Sequence, residues 1–341
     1  MASTMLDETR AIPSLVGRAL GAQGRVIADV AADLRQRRPR GLVTVARGSS
    51  DHAAEYASRL IGRRLGLIGA SLPPSLVTLD RAPLDFADHL VLAVSQSGRS
   101  PDVVETLAAA GHGGATTLAL VNAPSSPLAD AAAHVLAVDA GPERAVAATK
   151  SYVLSLLQIA RLVAAWAADE ALPRAFDGLP VALAAALEVD VRPFAARLAE
   201  ASSTYVVGRG LAFATAREAA LKLKEVGGLH AEACSGAEIM HGPKALLTPS
   251  WPVLAITGAD VPHDVEATTL RTLAALTDAL IVLGPRDPGC GHWIASPRAP
   301  DASLQPLVDA TALFVVIEAV ARTRGRDPDA PPHLRKVTET R

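Results

Sequence analysis

The segment from Glu218 to His241 packs four carboxylates, two lysines and two histidines into 24 residues. Its first part reads Glu218-Ala-Ala-Leu-Lys222-Leu-Lys-Glu225, and its second carries His230, Glu232, Glu238 and His241 among glycines and a proline. Such a density of groups suits acid/base chemistry, because proton transfer needs donors and acceptors held within reach of one substrate. On a helix Lys222 falls at i+4 from Glu218 and Glu225 at i+7, so the three share a face while Leu221 and Leu223 point elsewhere. Taken alone, that spacing also describes an ordinary solvated helix face. The polar segment after it, expected as a loop on a rigid scaffold, tips the reading toward a functional site.

A second cluster, Ser95-Gln96-Ser97-Gly98-Arg99-Ser100-Pro101, follows an apolar run and leads into an expected helix start at Pro101. Unpaired amides at a helix start and the helix dipole favour an anion there. One cap needs one hydroxyl, whereas this loop offers three serines and Gln96. Ser49 and Ser50 end a neighbouring expected strand and can meet the same anion at the carboxyl edge of the sheet. The loop is neither a Walker loop nor G-x-G-x-x-G, so phosphate is expected and a nucleotide is not.

These clusters need a scaffold, and 341 residues allow two lobes, each with its own core. Half the residues are apolar but only 3% are aromatic, a balance that suits helices packed closely on Val- and Leu-rich strands. Helical periodicity runs from Val16 to about Arg37, and strands are expected at residues 41–46, 75–79, 90–95, 116–121 and 135–138, with helices between most of them. A long helix is expected over 147–168. A second round opens with Thr204-Tyr-Val-Val-Gly-Arg209-Gly210, which repeats the pattern of Val43-Thr-Val-Ala-Arg47-Gly48. Its further strands are expected at 252–256, 279–283 and 292–295, with helices at 263–277 and 303–323. This alternation predicts an α/β class with parallel sheets in two lobes, residues 1–185 and 186–341.

The formal charge of −2 and the lack of basic runs interleaved with aromatics argue against nucleic acid as a partner. Cys234 and Cys290 are the only cysteines, too few for a disulfide framework or a four-cysteine zinc site, which fits a reducing cytoplasm. His230-x-Glu232 lacks the Pro-Cys-x-x-Cys partner of the zinc deaminases, so no metal and no other cofactor is expected. The N-terminus has no secretion-signal pattern. The most apolar long stretch, residues 152–168, is interrupted by Gln158 and Arg161, so no membrane partner is expected.

Six segments, ARGSS (46–50), SQSGRSPD (95–102), VAATK (146–150), EAALKLKE (218–225), HAEACSGAEIMHGP (230–243) and HLRKVTET (333–340), resemble the sugar isomerase (SIS) family in the same order. Within it they are most similar to the isomerase half of glucosamine-6-phosphate synthase and to its glutaminase-free relatives that deaminate glucosamine 6-phosphate. The resemblance implies two tandem SIS domains, each a doubly wound parallel five-stranded sheet flanked by helices, in a homodimer that shares residues between subunits. It implies that Ser50, Ser95, Gln96, Ser97 and Ser100 hold the sugar phosphate, with Val146 beside the sugar. It implies that Glu225 moves a proton between carbons 1 and 2, and that His241, supplied by the neighbouring subunit, opens the ring. Lys336 resembles the tail lysine that closes over the sugar, and Lys222 and Glu218 match the site helix. Two departures stand out: Arg99 replaces a glutamate of the synthase loop, and Cys234 replaces a common aromatic.

The chain begins Met-Ala and its first cysteine is Cys234, so glutamine hydrolysis by an N-terminal cysteine is not expected. The expected reaction is therefore release, glucosamine 6-phosphate and water giving fructose 6-phosphate and ammonia. The alternatives are the same site acting on another sugar phosphate, such as galactosamine 6-phosphate or a fructosamine phosphate, and a non-catalytic sugar-phosphate sensor.

Overall fold

The computed structural model describes residues 2–336. The Val337-Thr338-Glu339-Thr340 end of the last motif lies outside them. Ten strands form two all-parallel five-stranded sheets. The first contains β1 (Gly41–Val45), β2 (Gly69–Ser71), β3 (His89–Ser95), β4 (Thr116–Val121) and β5 (His134–Ala137), in the order β2-β1-β3-β4-β5. The second contains β6 (Ser203–Gly208), β7 (His230–Ser235), β8 (Val253–Ile256), β9 (Leu280–Gly284) and β10 (His292–Ala295), in the order β10-β9-β8-β6-β7. Each chain of strands reverses direction once, between β1 and β3 and between β6 and β8. Helices cover both faces, and every residue of the interior strands β4, β8 and β9 is buried.

Contacts divide the chain into two compact units. One holds Leu15–Glu143, Ser151–Arg174 and the tail residues Arg335 and Lys336; the other holds the N-terminal residues to Ser14, Arg144–Lys150 and Ala175–Leu334. The units thus exchange segments, in place of the single cut between 185 and 186 expected from the repeat. In the first unit Val91, Ala93 and Val121 of the sheet pack with Val103, Leu107 and Leu128. In the second, Tyr205, Val207, Val253 and Val282 pack with Leu270 and Leu273 of the His263–Ala274 helix. The Gln305–Thr323 helix packs on the Ala212–Glu225 helix that carries the acid/base face. The segment Ala302–Thr323 has the length and apolarity of a membrane span, but 89% of its most apolar window is buried within the protein, as suits a core helix.

Three expectations change. Residues 75–79 form a short helix, Ser75–Thr78, and the strand beside β1 is Gly69–Ser71. Pro73 and Pro74 fix their own backbone angles and offer carbonyls to the amides of Leu76, Val77 and Thr78, which closes a helical turn where the β-branched composition suggested a strand. The periodicity from Val16 to Arg37 is split into helices Ile12–Leu20 and Gly24–Arg37. Gln23 stands at the break with φ +57° and pairs its side-chain amide with the N–H and C=O of Ala137 at the edge of β5. Finally, His230–Ser235 is a strand rather than a loop, paired residue for residue with β6.

Asp309 is fully buried on the Gln305–Thr323 helix and accepts hydrogen bonds from Ser296 Oγ (2.5 Å) and Gln305 Nε2 (2.8 Å). Burial outweighs these bonds and, with the nearby Glu266 carboxylate adding to it, pushes the Asp309 carboxyl up to about 7. The folded value lies above the ordinary 3.8, so folding favours the protonated acid. That contribution is complete below about pH 4 and is lost as the pH rises to about 7. Asp309→Asn, which keeps the acceptor oxygen, should melt close to wild type at pH 4 and several degrees higher at pH 8. A gain on the order of a few kcal/mol in alkaline denaturant unfolding is expected, and an equal offset at both pH values would refute it.

Candidate active site

The unit with the first sheet brings the ARGSS and SQSGRSPD segments to adjacent strand ends, since β1 pairs with β3 in register Val45↔Ala93. This is the point where strand order reverses, the edge at which open parallel sheets bind ligands. Ser50 lies in the first turn of the Ser49–Leu65 helix, and Ser100 is the N-cap of the Pro101–His112 helix. The Ser100 side chain makes no cap hydrogen bond, so its hydroxyl is not committed to the helix end. Between them the loop is shaped by its own bonds: Gly98 N–H donates to Ser95 Oγ (2.9 Å) and Arg99 N–H to Ser97 Oγ (3.2 Å). Gly98 has φ +64°, and a Cβ there would stand 2.1 Å from Ser126 Oγ, so only glycine fits the turn. Ser95 is buried, Gln96, Ser97 and Ser100 are half-buried, and Arg99 is exposed.

A residue pair inside these motifs, not singled out by sequence reasoning, ties the two loops together. Arg47 donates through Nε (3.0 Å) and Nη2 (2.8 Å) to Asp102 Oδ2. The Asp102 side chain is 2% exposed and its other oxygen accepts the N–H of Val103 at the helix start. The signal was present as an arginine and an aspartate at equivalent strand-to-helix turns, but pairing them required the strand order. Lys336 belongs to the same unit and donates to Glu143 Oε2 (2.8 Å). Glu143 has a fully buried side chain and also accepts from Ser151 N–H (3.1 Å) and Ser151 Oγ (2.7 Å). Burial alone would raise the Glu143 pKa, yet the Lys336 ammonium and the Ser151 bonds outweigh it and hold the carboxyl below its usual range.

The other unit holds the acid/base helix, Ala212–Glu225. Lys222 is fully buried and lies 3.3 Å from Glu218 Oε1 and 2.5 Å from Glu225 Oε2. The Glu218 side chain is 1% exposed and that of Glu225 25% exposed, so Glu225 is the member of the trio open to a substrate. Burial works to lower the Lys222 pKa, but the two carboxylates outweigh it and keep the lysine charged, with its pKa above the usual value. Val146 lies half-buried in a loop held by Glu8, which accepts Arg144 N–H (2.7 Å) and Ala145 N–H (3.2 Å) and pairs with Lys150 Nζ (3.2 Å).

His230 and Glu232 alternate on the exposed face of the edge strand β7, and His230 Nδ1 lies 2.9 Å from Ser203 Oγ. They are separated from Glu238 and His241, which stand exposed on the short turn Glu238–His241. Cys234 faces inward, and burial, with Glu232 and Glu238 adding to it, pushes its thiol up to about 11. It is a packing residue, not a nucleophile. At the reversal point of the second sheet Glu266 accepts the N–H of Gly258 (2.9 Å) beside a cleft lined by Arg209, Thr257 and Thr269. Only the first sheet carries a serine loop at this position.

Lys222→Met should strand the Glu218 carboxylate in the core and destabilise the protein by about 3–5 kcal/mol. Glu218→Gln added to Lys222→Met should recover a substantial part of that loss in urea unfolding. Equal stability of the single and double variants would show that the burial of this pair is not the dominant cost.

The family model of the SIS domain matches residues 36–165 and 197–283. The glutamine–fructose-6-phosphate aminotransferase (isomerizing) of Methanothermobacter thermautotrophicus is 34% identical over 299 residues, which are 86% of this chain and 50% of that protein. The chain thus spans about half the length of that relative. A solved structure of a candidate phosphosugar isomerase from Silicibacter pomeroyi has a TM-score of 0.90 at 39% identity, covering 96% of this chain and all of that one. The C-terminal domain of glucosamine-fructose-6-phosphate aminotransferase from Francisella tularensis has a TM-score of 0.83 at 24% identity over 97% of this chain and 99% of that one, a likeness of fold. The serine loop at the reversal point of the first sheet and the carboxylate-lysine helix of the second unit therefore stand in a chain that belongs to the SIS domain family.

Proposed function

We propose that the protein is an amino-sugar phosphate deaminase that converts glucosamine 6-phosphate and water to fructose 6-phosphate and ammonia. The observation that carries this reading is Lys336, a tail amine held against the buried carboxylate of Glu143. A plain aldose-ketose interconversion needs only a ring opener and one carboxylate. Exchanging nitrogen for oxygen at carbon 2 adds the hydrolysis of an imine, a step in which an amine can polarise or attack that carbon.

In this scheme Ser50, Ser95, Gln96, Ser97 and Ser100 hold the phosphate, and Val146 borders the sugar. His241 protonates the ring oxygen while the anomeric hydroxyl loses its proton, and the open aldose results. Glu225, kept in place by Lys222 and Glu218, removes the proton at carbon 2 and returns it at carbon 1, which gives the ketimine. Water then adds to carbon 2 and ammonia leaves. The exposure of His241 in the single chain supports its delivery to the site of a second subunit in a homodimer. A second reading is favoured by the likeness to the Silicibacter pomeroyi protein, whose name specifies phosphosugar isomerisation: the same site would interconvert an aldose and a ketose phosphate without releasing ammonia.

Incubation with glucosamine 6-phosphate, galactosamine 6-phosphate, fructosamine phosphates and unphosphorylated glucosamine, with ammonia and ketose phosphate both measured, tests the proposal. Ammonia and ketose phosphate in equal amounts from glucosamine 6-phosphate alone are expected. Ketose formation without ammonia would establish the isomerase reading, and saturable binding without turnover a sensor. Glu225→Gln should lower turnover by about 10²–10⁴-fold with little change in substrate affinity, because it keeps the shape but cannot take a proton. A mixture of Glu225→Gln and His241→Ala proteins should regain activity through hybrid dimers, and no recovery after confirmed subunit exchange would refute the shared site.

A further inference from the structure

Glu143 stands three residues ahead of Val146 and outside every motif discussed above. Its side chain is completely buried, yet it is ionised and carries a charge-assisted bond to Lys336, 193 residues away in sequence. The carboxylate is anchored independently of that lysine. Ser151 donates to it through both N–H and Oγ, and Ser151 lies in the first turn of the Lys150–Trp166 helix, whose N-terminal dipole favours a negative charge. Glu143 is thus a fixed point on a rigid element. Lys336 is the opposite, a long side chain on a segment without helix or strand after the Gln305–Thr323 helix.

A buried carboxylate is a poor device for stability alone, since well-packed apolar residues serve as well or better. What it does is make the position of its cation matter. We propose that Glu143 is the positioning residue for Lys336, and that its buried carboxylate, fixed by Ser151, holds the tail amine at one place in the unit that carries the phosphate loop. This rests on the reading of Lys336 as a participant in the reaction. Glu143 itself touches no substrate in this scheme and acts through the lysine. Without it the amine is tethered only by its chain, and the fraction of time spent in a productive position falls.

The test compares wild type, Glu143→Gln, Lys336→Ala and the combined variant in ammonia release from glucosamine 6-phosphate. Glu143→Gln should lower kcat by about ten- to a hundredfold, the scale of misplacing a reacting group, with KM within about threefold of wild type. The combined variant should be no slower than Lys336→Ala alone, because Glu143 has nothing left to position. A combined loss equal to the product of the single losses, or a Glu143→Gln enzyme with full kcat, would overturn the inference. Should Glu143→Gln fail to fold, Ser151→Ala removes one anchor from the same carboxylate and should shift kcat in the same direction by a smaller factor. A second readout needs no activity: trypsin cleavage after Lys336, followed by intact mass, should be faster in Glu143→Gln than in wild type, and equal rates would overturn the inference. If Lys336→Ala kept full turnover, the role of Lys336 in the reaction would fall while the cleavage comparison would still decide whether Glu143 holds it.

Discussion

A carboxylate taken out of water must either take up a proton, as Asp309 does, or keep a cation beside it, and four such carboxylate–cation pairs fix segments of this protein. Asp102, 2% exposed, takes Arg47 and joins the two serine-bearing turns. Glu8 takes Lys150 and two backbone amides and sets the Val146 loop. Glu218 takes Lys222 on the acid/base helix, and Glu143 takes Lys336 from the tail. In the Asp102 and Glu143 pairs the carboxylate lies on or beside a regular element and the cation comes from a loop or the tail. The desolvation cost of the carboxylate makes the unpaired arrangement expensive, so the pair selects one geometry.

The second constraint is the parallel sheet. Its strands all end at one edge, and the helices that follow begin there, so backbone donors converge where the strand order reverses. Both sheets offer that edge. In the first, the loop from Ser95 to Ser100 lines it and Gly98 permits the turn. In the second, Glu266 takes the Gly258 amide and burial pushes its carboxyl up to about 7, beside a cleft lined by Arg209, Thr257 and Thr269. Duplication of the fold has not meant duplication of the serine loop.

On the helix, one side chain of each kind has a different task because exposure differs. Glu218 and Lys222 are sealed in the core, and of the three only Glu225 reaches the surface. The lysine between two carboxylates remains charged despite its burial. A charged Lys222 fixes Glu225 in position and supplies compensating charge.

Much of this was legible in the sequence for reasons that are local. Apolar runs ending in Ser- or Gly-rich turns set β1, β3, β4, β6, β8 and β9, and the i, i+4, i+7 spacing placed Glu218, Lys222 and Glu225 on one face. What failed was also local: Ser75–Thr78 has strand composition but follows two prolines, and His230–Ser235 has no β-branched residue yet is drawn into a strand by its register with β6. Residue types and short spacings thus determined the class of fold, the serine loop and the acid/base helix, because those depend on hydrogen bonds and periodicities a few residues long. Only the tertiary structure decided which buried carboxylate met which cation, Asp102 with Arg47 across two strand ends and Glu143 with Lys336 across 193 residues, because desolvation is set by what the whole fold packs around a group.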